Sequence, residues 1–500
     1  MDSLTTEAFI VDNIRSLSLL GPEIVLSTGA LLLLITGIAI PYWRYRMVFT
    51  LMGVAALGLS LLPLMVLPSP GGNIPYLSNL FIWDWLSCFF KPFFAVVGGV
   101  TIILIYGSKE IEDQYYHESV FLVLVITIGM MLLTAATDLL MIYVAFETMG
   151  ILSYLLVGIK ARDLRSGEAA LKYILYGAFT SGIMLFGFSL VFGVAGTTEL
   201  SGISQAVASV SVQPHNRLLL IPSMLFFLVG LLFKAASFPF HFWCPDVYEG
   251  APTPVTAFLS VGPKCAAFAL IIRLFYPLFA TREGNELYTT ATGLDWPAIL
   301  ALISAVTMTW GNLAAIPQTN VKRLLAYSSI AHAGYLLMGL VCLSSLGLRA
   351  VVFYMAVYLF MNLGAFAVVA ILGGTAESEE IHFYRGLGNQ SPFVAVAMTV
   401  FLFSLVGLPP FAGFVGKVYL FVAVISREIY WLAVVAALNT VVSLYYYMRI
   451  VKAMFLEPAT ESHYPDISLG SQLLLIALMI PTFGLGVYWQ PLAQIVGFMF

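Results

Sequence analysis

Residues 217–248 read RLLLIPSMLFFLVGLLFKAASFPFHFWCPDVY, and this stretch decides the fold. A helix needs about 20 apolar residues to cross the hydrocarbon core, so the stretch is too long for one straight crossing. Inside it stand Lys234, Pro239 and Pro245. Proline removes a backbone donor and clashes with the preceding turn, so the segment reads as a discontinuous helix with a lysine just before its break. Such breaks are tolerated at membrane depth only where the freed backbone faces protein or a polar cavity. Residues 392–425 repeat the design, with Pro409 and Pro410 at the break and Lys417 after it.

Working outward, fourteen segments are apolar enough to span: 23–41, 47–67, 81–107, 117–135, 138–159, 168–194, 217–248, 252–278, 296–317, 323–343, 346–373, 392–425, 428–455 and 471–489. None alternates with period two, which excludes a β-barrel. The 500 residues are 60% hydrophobic and 10% charged, against about 45–50% and about 25% in soluble domains. The expected fold is therefore an all-α integral membrane bundle, one polytopic domain over 1–500. A net charge of −4 argues against a nucleic-acid or polybasic lipid-binding surface. Cys88, Cys244, Cys265 and Cys342 form no close pair, so neither a disulfide framework nor a thiolate metal site is expected. Residues 1–22, with Asp2, Glu7, Asp12 and Arg15, lack the features of a cleaved signal.

Orientation follows from loop charge. Arg44, Arg46, Lys109, Lys160, Arg162, Arg165, Lys322, Arg323, Arg385, Arg449 and Lys452 fall in one set of loops, which is read as cytoplasmic. Arg15, Arg217, Arg282, Arg349 and Arg427 fall in the other, where both termini would lie.

The chain also resembles itself. Tyr154-Leu155-Leu156-Val157-Gly158 is answered by Tyr335-Leu336-Leu337-Met338-Gly339, and Ala169, Tyr173 and Phe179 by Ala350, Tyr354 and Phe360, at an offset of 181. Thr127 and Gly129 meet Thr309 and Gly311 at 182, and Phe238-Pro239-Phe240 meets Pro409-Pro410-Phe411 at 171. Three spans (1–116) would precede a five-helix repeat (117–278) and a second such repeat (296–455), with a C-terminal span in 456–500. Five is odd, so the copies run in opposite directions, as in ion-translocating bundles.

Intramembrane charges are costly and by default functional or paired. Glu147, Lys234, Lys264 and Lys417 lie at similar depth in their segments. Burial favours a neutral amine and a nearby carboxylate the charged one, so a carboxylate that approaches or retreats makes a lysine a proton switch; Glu147 and Lys234 are the expected switch. Lys234 would face the carbonyl end of a half-helix and Lys417 the amide end of another, giving them different proton affinities. His332 is the expected relay, imidazole being the side chain that exchanges protons near neutrality. Lys172 has Glu168 one turn earlier as a partner, while Lys91, two turns after Asp84, and Arg273 read as structural. Asp246 and Glu249 either gather protons or end a helix, and Tyr445-Tyr446-Tyr447 reads as packing. No GxGxxG, Walker or HExxH motif is present, so no cofactor is expected in this chain and its driving energy must come from elsewhere.

The stretch Phe240-His241-Phe242-Trp243-Cys244-Pro245-Asp246-Val247-Tyr248-Glu249-Gly250-Ala251-Pro252-Thr253-Pro254-Val255 resembles the antiporter-like membrane subunits of respiratory complex I. So do Lys322-Arg323-Leu324-Leu325-Ala326-Tyr327-Ser328-Ser329-Ile330 with His332, and Gly407-Leu408-Pro409-Pro410 with Gly416-Lys417. The wording around Asp246 is closer to the N type than to the L or M types, and Lys417 stands where M types carry glutamate. The resemblance covers roughly residues 80 to 455. It implies that Glu147 and Lys234 form the family's glutamate–lysine pair, Lys264 the central relay and Lys417 the terminal proton site. It further implies neighbouring membrane subunits A, H, J, K, L and M, and a peripheral arm in which FMN and iron–sulfur clusters pass electrons from NADH to quinone. A bacterial inner membrane is the expected location, with a thylakoid or organelle inner membrane as the alternative. The competing functions are a subunit of a multisubunit cation/proton antiporter or membrane-bound hydrogenase, and a structural spacer between pump modules. Lys91 departs from the family pattern, and Cys244 and Cys265 have no assigned role.

Overall fold

The computed structural model describes residues 16–39, 45–67, 69–70, 72–210, 214–284, 286–291, 295–373, 379–459 and 467–500, with side chains omitted over 210–218. Of the charges used above, Asp2, Glu7, Asp12, Arg15 and Arg44, together with the Arg217 side chain, lie outside this description. Each of the fourteen apolar segments contains helix. In chain order the helices are α1 (Gly21–Ala39), α2 (Arg46–Ser60), α3 (Trp85–Gly107), α4 (Tyr116–Ala135), α5 (Leu139–Val157), α6 (Leu164–Ala195) and α7 (Leu200–Val210). There follow α8 (Pro214–Ala235), α9 (Trp243–Gly250), α10 (Thr253–Phe279), α11 (Trp296–Ala315), α12 (Val321–Leu340) and α13 (Ser345–Leu372). The chain ends with α14 (Pro392–Val406), α15 (Ala412–Ser426), α16 (Tyr430–Leu456), α17 (Leu469–Val487) and α18 (Gln490–Gly497). Two short antiparallel hairpins, Ile74–Tyr76 with Phe81–Trp83 and Ala280–Glu283 with Leu287–Thr290, close loops at one end.

Eleven described segments are long and apolar enough to cross a membrane unaided, and α8, α14 and α15 are shorter apolar pieces. Those pieces arise because two helices break as expected. The first runs from α8 to α9, the second from α14 to α15. Polar loop residues set other ends: Asp138 accepts from Leu140 N and Met141 N to start α5, and Asn320 accepts from Arg323 N to start α12.

The repeat is visible in backbone contacts. Gly129 lets α4 approach α5 at Ala145 O and Met149 N, while Gly311 lets α11 approach α12 at Tyr327 O and Ala331 N, each residue displaced by 182. The breaks match at 171: Ala236 N, Ser237 N and Phe240 N bond to Phe233 O, Leu232 O and Ser237 O, and Gly407 N, Leu408 N and Phe411 N bond to Ser404 O, Phe403 O and Leu408 O. Ala236 (φ 54) and Gly407 (φ 89) make the left-handed step at the same place. Both breaks contain a cis X–Pro bond, Phe238–Pro239 and Pro409–Pro410.

The core lies between α10, whose apolar window is wholly buried, and α13. Asn362 Nδ2 donates to Ser260 Oγ at 2.6 Å to join them. Outer helices expose large apolar side chains, among them Ile35, Leu175, Phe179, Leu438 and Ile480. That is the surface a hydrocarbon solvent requires.

The two glycines differ in slack. A Cβ at Gly311 would meet backbone at 2.6 Å, and one at Gly129 at 3.3 Å. Overpacking costs about 1–3 kcal/mol, so Gly311→Ala is predicted to lower the thermal stability of the purified protein clearly more than Gly129→Ala. Equal midpoints for the two variants would refute this packing account.

Candidate proton-transfer site

Lys234, at the end of α8, is 1% exposed. Its ammonium lies 5.1 Å from the ring centroids of Tyr154 and Tyr173 and 5.6 Å from those of Phe146 and Phe233. It donates one long hydrogen bond, 3.5 Å, to Tyr173 Oη. A Cβ at Gly150 would stand 3.3 Å from Nζ, so the lysine reaches α5 one turn beyond Glu147. Glu147 is half-buried. Among the described residues the two form no ion pair. Lys234 thus approaches α5 on the face that carries Gly150, one turn from Glu147.

Lys264, in the middle of α10, donates to Ser329 Oγ at 2.5 Å and lies 3.8 Å from Cys244 Sγ and 5.3 Å from the Tyr248 ring. Ser329 Oγ shares a 2.8 Å hydrogen bond with Tyr358 Oη. Cys244 thus touches the central lysine, while Cys265 is simply buried. His332 Nδ1 shares a 2.6 Å bond with Tyr354 Oη, and its ring lies 5.3 Å from that of Tyr358 and 5.9 Å from that of Tyr335. Lys417 sits 4.5 Å over the Tyr335 ring. Lys264, Ser329, Tyr358, His332, Tyr335 and Lys417 therefore form one buried row. Between Lys234 and Lys264 the link is aromatic: Tyr173 stacks on Trp243 at 4.3 Å, and Trp243 meets Tyr248 at 6.2 Å.

One expectation is overturned. Lys417 follows its break in sequence, yet its Nζ donates to Val406 O at 2.8 Å, the carbonyl end of α14. Four methylenes carry the ammonium back across the break, past Gly407, where a Cβ would stand 2.9 Å from Lys417 Cδ. Lys234 stands in the last turn of α8 and the Lys417 ammonium at the last carbonyls of α14, and the two face tyrosines matched in the repeat, Tyr154 and Tyr335.

A second class of charge is paired. Lys91 meets Glu23 at 3.0 Å, side chains 0% and 4% exposed, and lies 4.7 Å over Trp83. Asp84, rather than facing Lys91, holds Arg273 with bonds of 2.7 and 2.8 Å. Lys322, expected in a loop, is buried instead: it donates to Glu249 O at 2.9 Å, Ala251 O at 2.8 Å and Glu379 at 3.0 Å, because the end of α9 docks on the start of α12. Lys172 bridges Glu168 and Asp246, both at 2.7 Å, and Arg323 bridges Asp246 at 2.8 Å and Glu249 at 2.7 Å. Of the tyrosine triplet, Tyr446 and Tyr447 are buried against Asn312 and Ser328, and Tyr445 is exposed.

The tyrosines and Ser329 that line this row are uncharged and so escape a search for buried ions, although Tyr154/Tyr335 and Tyr173/Tyr354 are repeat matches. A polar residue kept in both copies of an apolar helix was the signal. Glu23 had no comparable signal, because its partner is 68 residues away.

In the loop before α4, burial pushes the Glu110 carboxyl up, but the charges of Lys322 and Lys160 and hydrogen bonds from Thr253 outweigh it and hold Glu110 below the ordinary glutamate value. Both its oxygens accept from Thr253 N at 3.1 Å, and Lys160 lies at 3.3 Å. A lowered carboxyl stabilises fully above its unfolded pKa, and the contribution disappears as pH falls through the folded one. Glu110→Gln is predicted to unfold at lower temperature than the parent down to about pH 4.3, the ordinary glutamate value, with the gap closing below it. A gap that widens in acid would contradict this sign. For the paired charges, Glu23→Gln leaves Lys91 buried without a counter-charge, a loss of about 3–5 kcal/mol. Glu23→Leu with Lys91→Met should recover most of the resulting loss in heat stability, and no recovery would disprove the pairing.

Sequence and structure comparisons agree on the kinship. The family model described as NADH:quinone oxidoreductase/Mrp antiporter, TM, matches residues 136–443. NADH-quinone oxidoreductase subunit N of Anaeromyxobacter sp. (strain Fw109-5) is 41% identical over 500 residues, covering 97% of this chain and 96% of the relative. Among solved structures, a chain of respiratory complex I from Thermus thermophilus with bound aureothin superposes with a TM-score of 0.78 at 30% identity, covering 95% of this chain and 98% of that one. A chain of the archaeal membrane-bound sulfane sulfur reductase shares the fold, with a TM-score of 0.82 at 21% identity over 97% and 96% of the two chains. With its broken helices and buried lysine row, this chain belongs to the antiporter-like membrane subunit family of NADH:quinone oxidoreductase, as a relative of its subunit N.

Proposed function

We propose that this chain moves protons across the membrane as an antiporter-like subunit of NADH:quinone oxidoreductase, using Glu147, Lys234, Lys264, His332 and Lys417. The observation that carries the assignment is the contrast between two sets of buried cations. Lys91, Arg273 and Lys322 have carboxylates at 2.7–3.0 Å. Lys234, Lys264 and Lys417 have none among the described residues, and rest on hydroxyls, a thiol, a carbonyl and aromatic faces. An uncompensated amine in a dry core gains and loses its proton easily, as a carrier must.

In this reading, redox chemistry elsewhere in the complex changes the approach of Glu147 to Lys234. The displaced charge sends a proton from Lys264 through Ser329, Tyr358 and His332 to Lys417, which releases it on the far side. Moving one proton against about 100 mV costs about 2.3 kcal/mol, which a pKa excursion of roughly two units supplies. NADH, FMN, iron–sulfur clusters and quinone belong to other subunits. Neighbouring membrane subunits A, H, J, K, L and M and the peripheral arm are the proposed partners. The kinship with bacterial subunit N proteins supports a bacterial inner membrane as the location.

The test is NADH-driven acidification of proteoliposomes holding the whole complex. Lys234→Met and Lys417→Met are predicted to assemble and to pump at least threefold more slowly, whereas the Glu23→Leu, Lys91→Met pair pumps normally. Wild-type pumping by an assembled Lys234→Met complex would sink the assignment.

A further inference from the structure

Lys417 stands over the Tyr335 ring, and α16 holds the hydroxyl of that tyrosine from behind. Tyr335 Oη donates to Ala436 O at 3.2 Å and shares a 3.1 Å hydrogen bond with Thr440 Oγ1, which itself donates to Ala436 O at 3.0 Å. A buried amide pair fixes α16 in turn. Asn312 Nδ2, from α11, donates to Asn439 Oδ1 at 3.1 Å, Asn439 Nδ2 donates to Thr309 Oγ1 at 3.0 Å, and Asn312 Oδ1 accepts from Tyr446 Oη at 2.9 Å. The first half makes the same helix contact without polar groups. At the 182 of the glycine contacts Asn312 corresponds to Met130, and α10 and α16, 27 residues each, start at Thr253 and Tyr430, an offset of 177 that pairs Asn439 with Gly262. Met130 packs on Gly262 so closely that a Cβ on the glycine would stand 3.0 Å from the sulfur. In that half the matched tyrosine, Tyr154, sets its hydroxyl against Gly177 of α6. An apolar pair thus serves the packing, and a buried amide is costly unless every polar group is satisfied, so packing alone does not account for the asparagines.

We propose that Asn312, Asn439 and Thr440 are positioning residues for the terminal lysine: the amide pair sets α16 in one rotation against α11, and Thr440 with Ala436 O then pins Tyr335 so that its ring stays under the Lys417 ammonium. The proposal rests on the proton-translocating reading above. Two amides satisfy each other in one rotational setting of their helices, whereas apolar side chains slide and repack; a buried asparagine is the attested device for fixing such a register. A tyrosine ring steadies a cation only while the cation lies over its face. Tyr335 reaches that place from α12 and its acceptors stand on α16, so a turn of α16 would draw the ring away from Lys417. None of the three residues touches the lysine. They act on it through Tyr335.

The experiment uses the assembled complex in proteoliposomes, with NADH-driven acidification divided by NADH oxidation. Thr440→Val keeps the side-chain shape and removes the hydroxyl, while Thr440→Ser keeps the hydroxyl. Thr440→Val and Asn312→Leu are expected to pump at least threefold more slowly than the parent, and Thr440→Ser to keep at least half the parent rate. In a Lys417→Met background, Thr440→Val is expected to add less than a further twofold loss, because positioning acts through that lysine. The near-isosteric Thr440 variants decide the matter even where Asn312→Leu lowers assembly. Wild-type pumping by Thr440→Val or by an assembled Asn312→Leu, equal losses in the Val and Ser variants, or full multiplication of the two losses in the double variant would overturn the proposal. Lys417→Met alone separates the two ideas: if it slows pumping and Thr440→Val does not, the positioning role falls and the wider reading stands, whereas normal pumping by Lys417→Met removes both.

Discussion

The hydrocarbon solvent offers no hydrogen bonds, so every backbone group released at a helix break must be satisfied by the protein itself. This chain solves the problem twice in the same way. At each break a residue with positive φ folds the last turn back, and three backbone amides return to the carbonyls before it. What remains is a carbonyl end pointing into a dry core; in the second half the Lys417 amine donates to it, and in the first Lys234 stands in the last turn before it. The placement of Lys417 follows from that constraint: a cation is the natural complement of a half-helix carbonyl end, and the four-carbon stem of lysine reaches it from beyond the break. In the second half Gly407 clears the way for a stem arriving from behind.

The buried charges then sort by partner. Where a cation must hold elements together it is given a carboxylate. Glu23 ties α1 to α3 through Lys91, Asp84 ties the start of α3 to α10 through Arg273, and Glu379 ties a loop to α12 through Lys322. The cations proposed to change their protonation are given neutral groups instead, where a fixed carboxylate would lock the proton in place. Tyrosine suits this second task. Its ring face steadies an ammonium without a net charge, and its hydroxyl can both give and take a hydrogen bond. Tyr154 and Tyr335 face the terminal lysines, while Tyr354 and Tyr358 flank His332.

Much of this was legible in the sequence. Long apolar runs announced the spans, prolines inside two of them announced the breaks, and Lys234, Lys264, Lys417 and His332 stood out as polar residues in apolar surroundings; all four are buried. Tertiary geometry was harder to read. Lys417 follows its break along the chain but not in space, because side-chain length exceeds the distance the break spans. Lys322 reads as a loop residue until the end of α9 is seen to dock on α12. Glu23 has no local pattern at all, since ion pairing between distant helices leaves no periodic trace. Ser329 looked like one more small residue in a helix, and only the approach of Lys264 gives it a part.

The repeat explains why the site is lopsided despite its symmetric frame. At the offset of 182 that matches the glycine contacts of α5 and α12, Glu147 corresponds to Ser329, while the 181 of the tyrosine match gives Ser328, a hydroxyl in either case; at the offset that aligns the breaks, Asp246 corresponds to Lys417. Two duplicated positions have therefore diverged in charge while the backbone around them stayed matched. At the 182 offset a carboxylate stands in the first half where the second half has a hydroxyl that accepts from Lys264, which in the proposed mechanism gives one copy the movable charge and the other the neutral relay. A proton meeting two identical halves would have no preferred direction. In the proposed mechanism, divergence at these positions puts the Glu147–Lys234 pair at one end of the row and Lys417 at the other, on a scaffold whose helix packing and breaks remain equivalent.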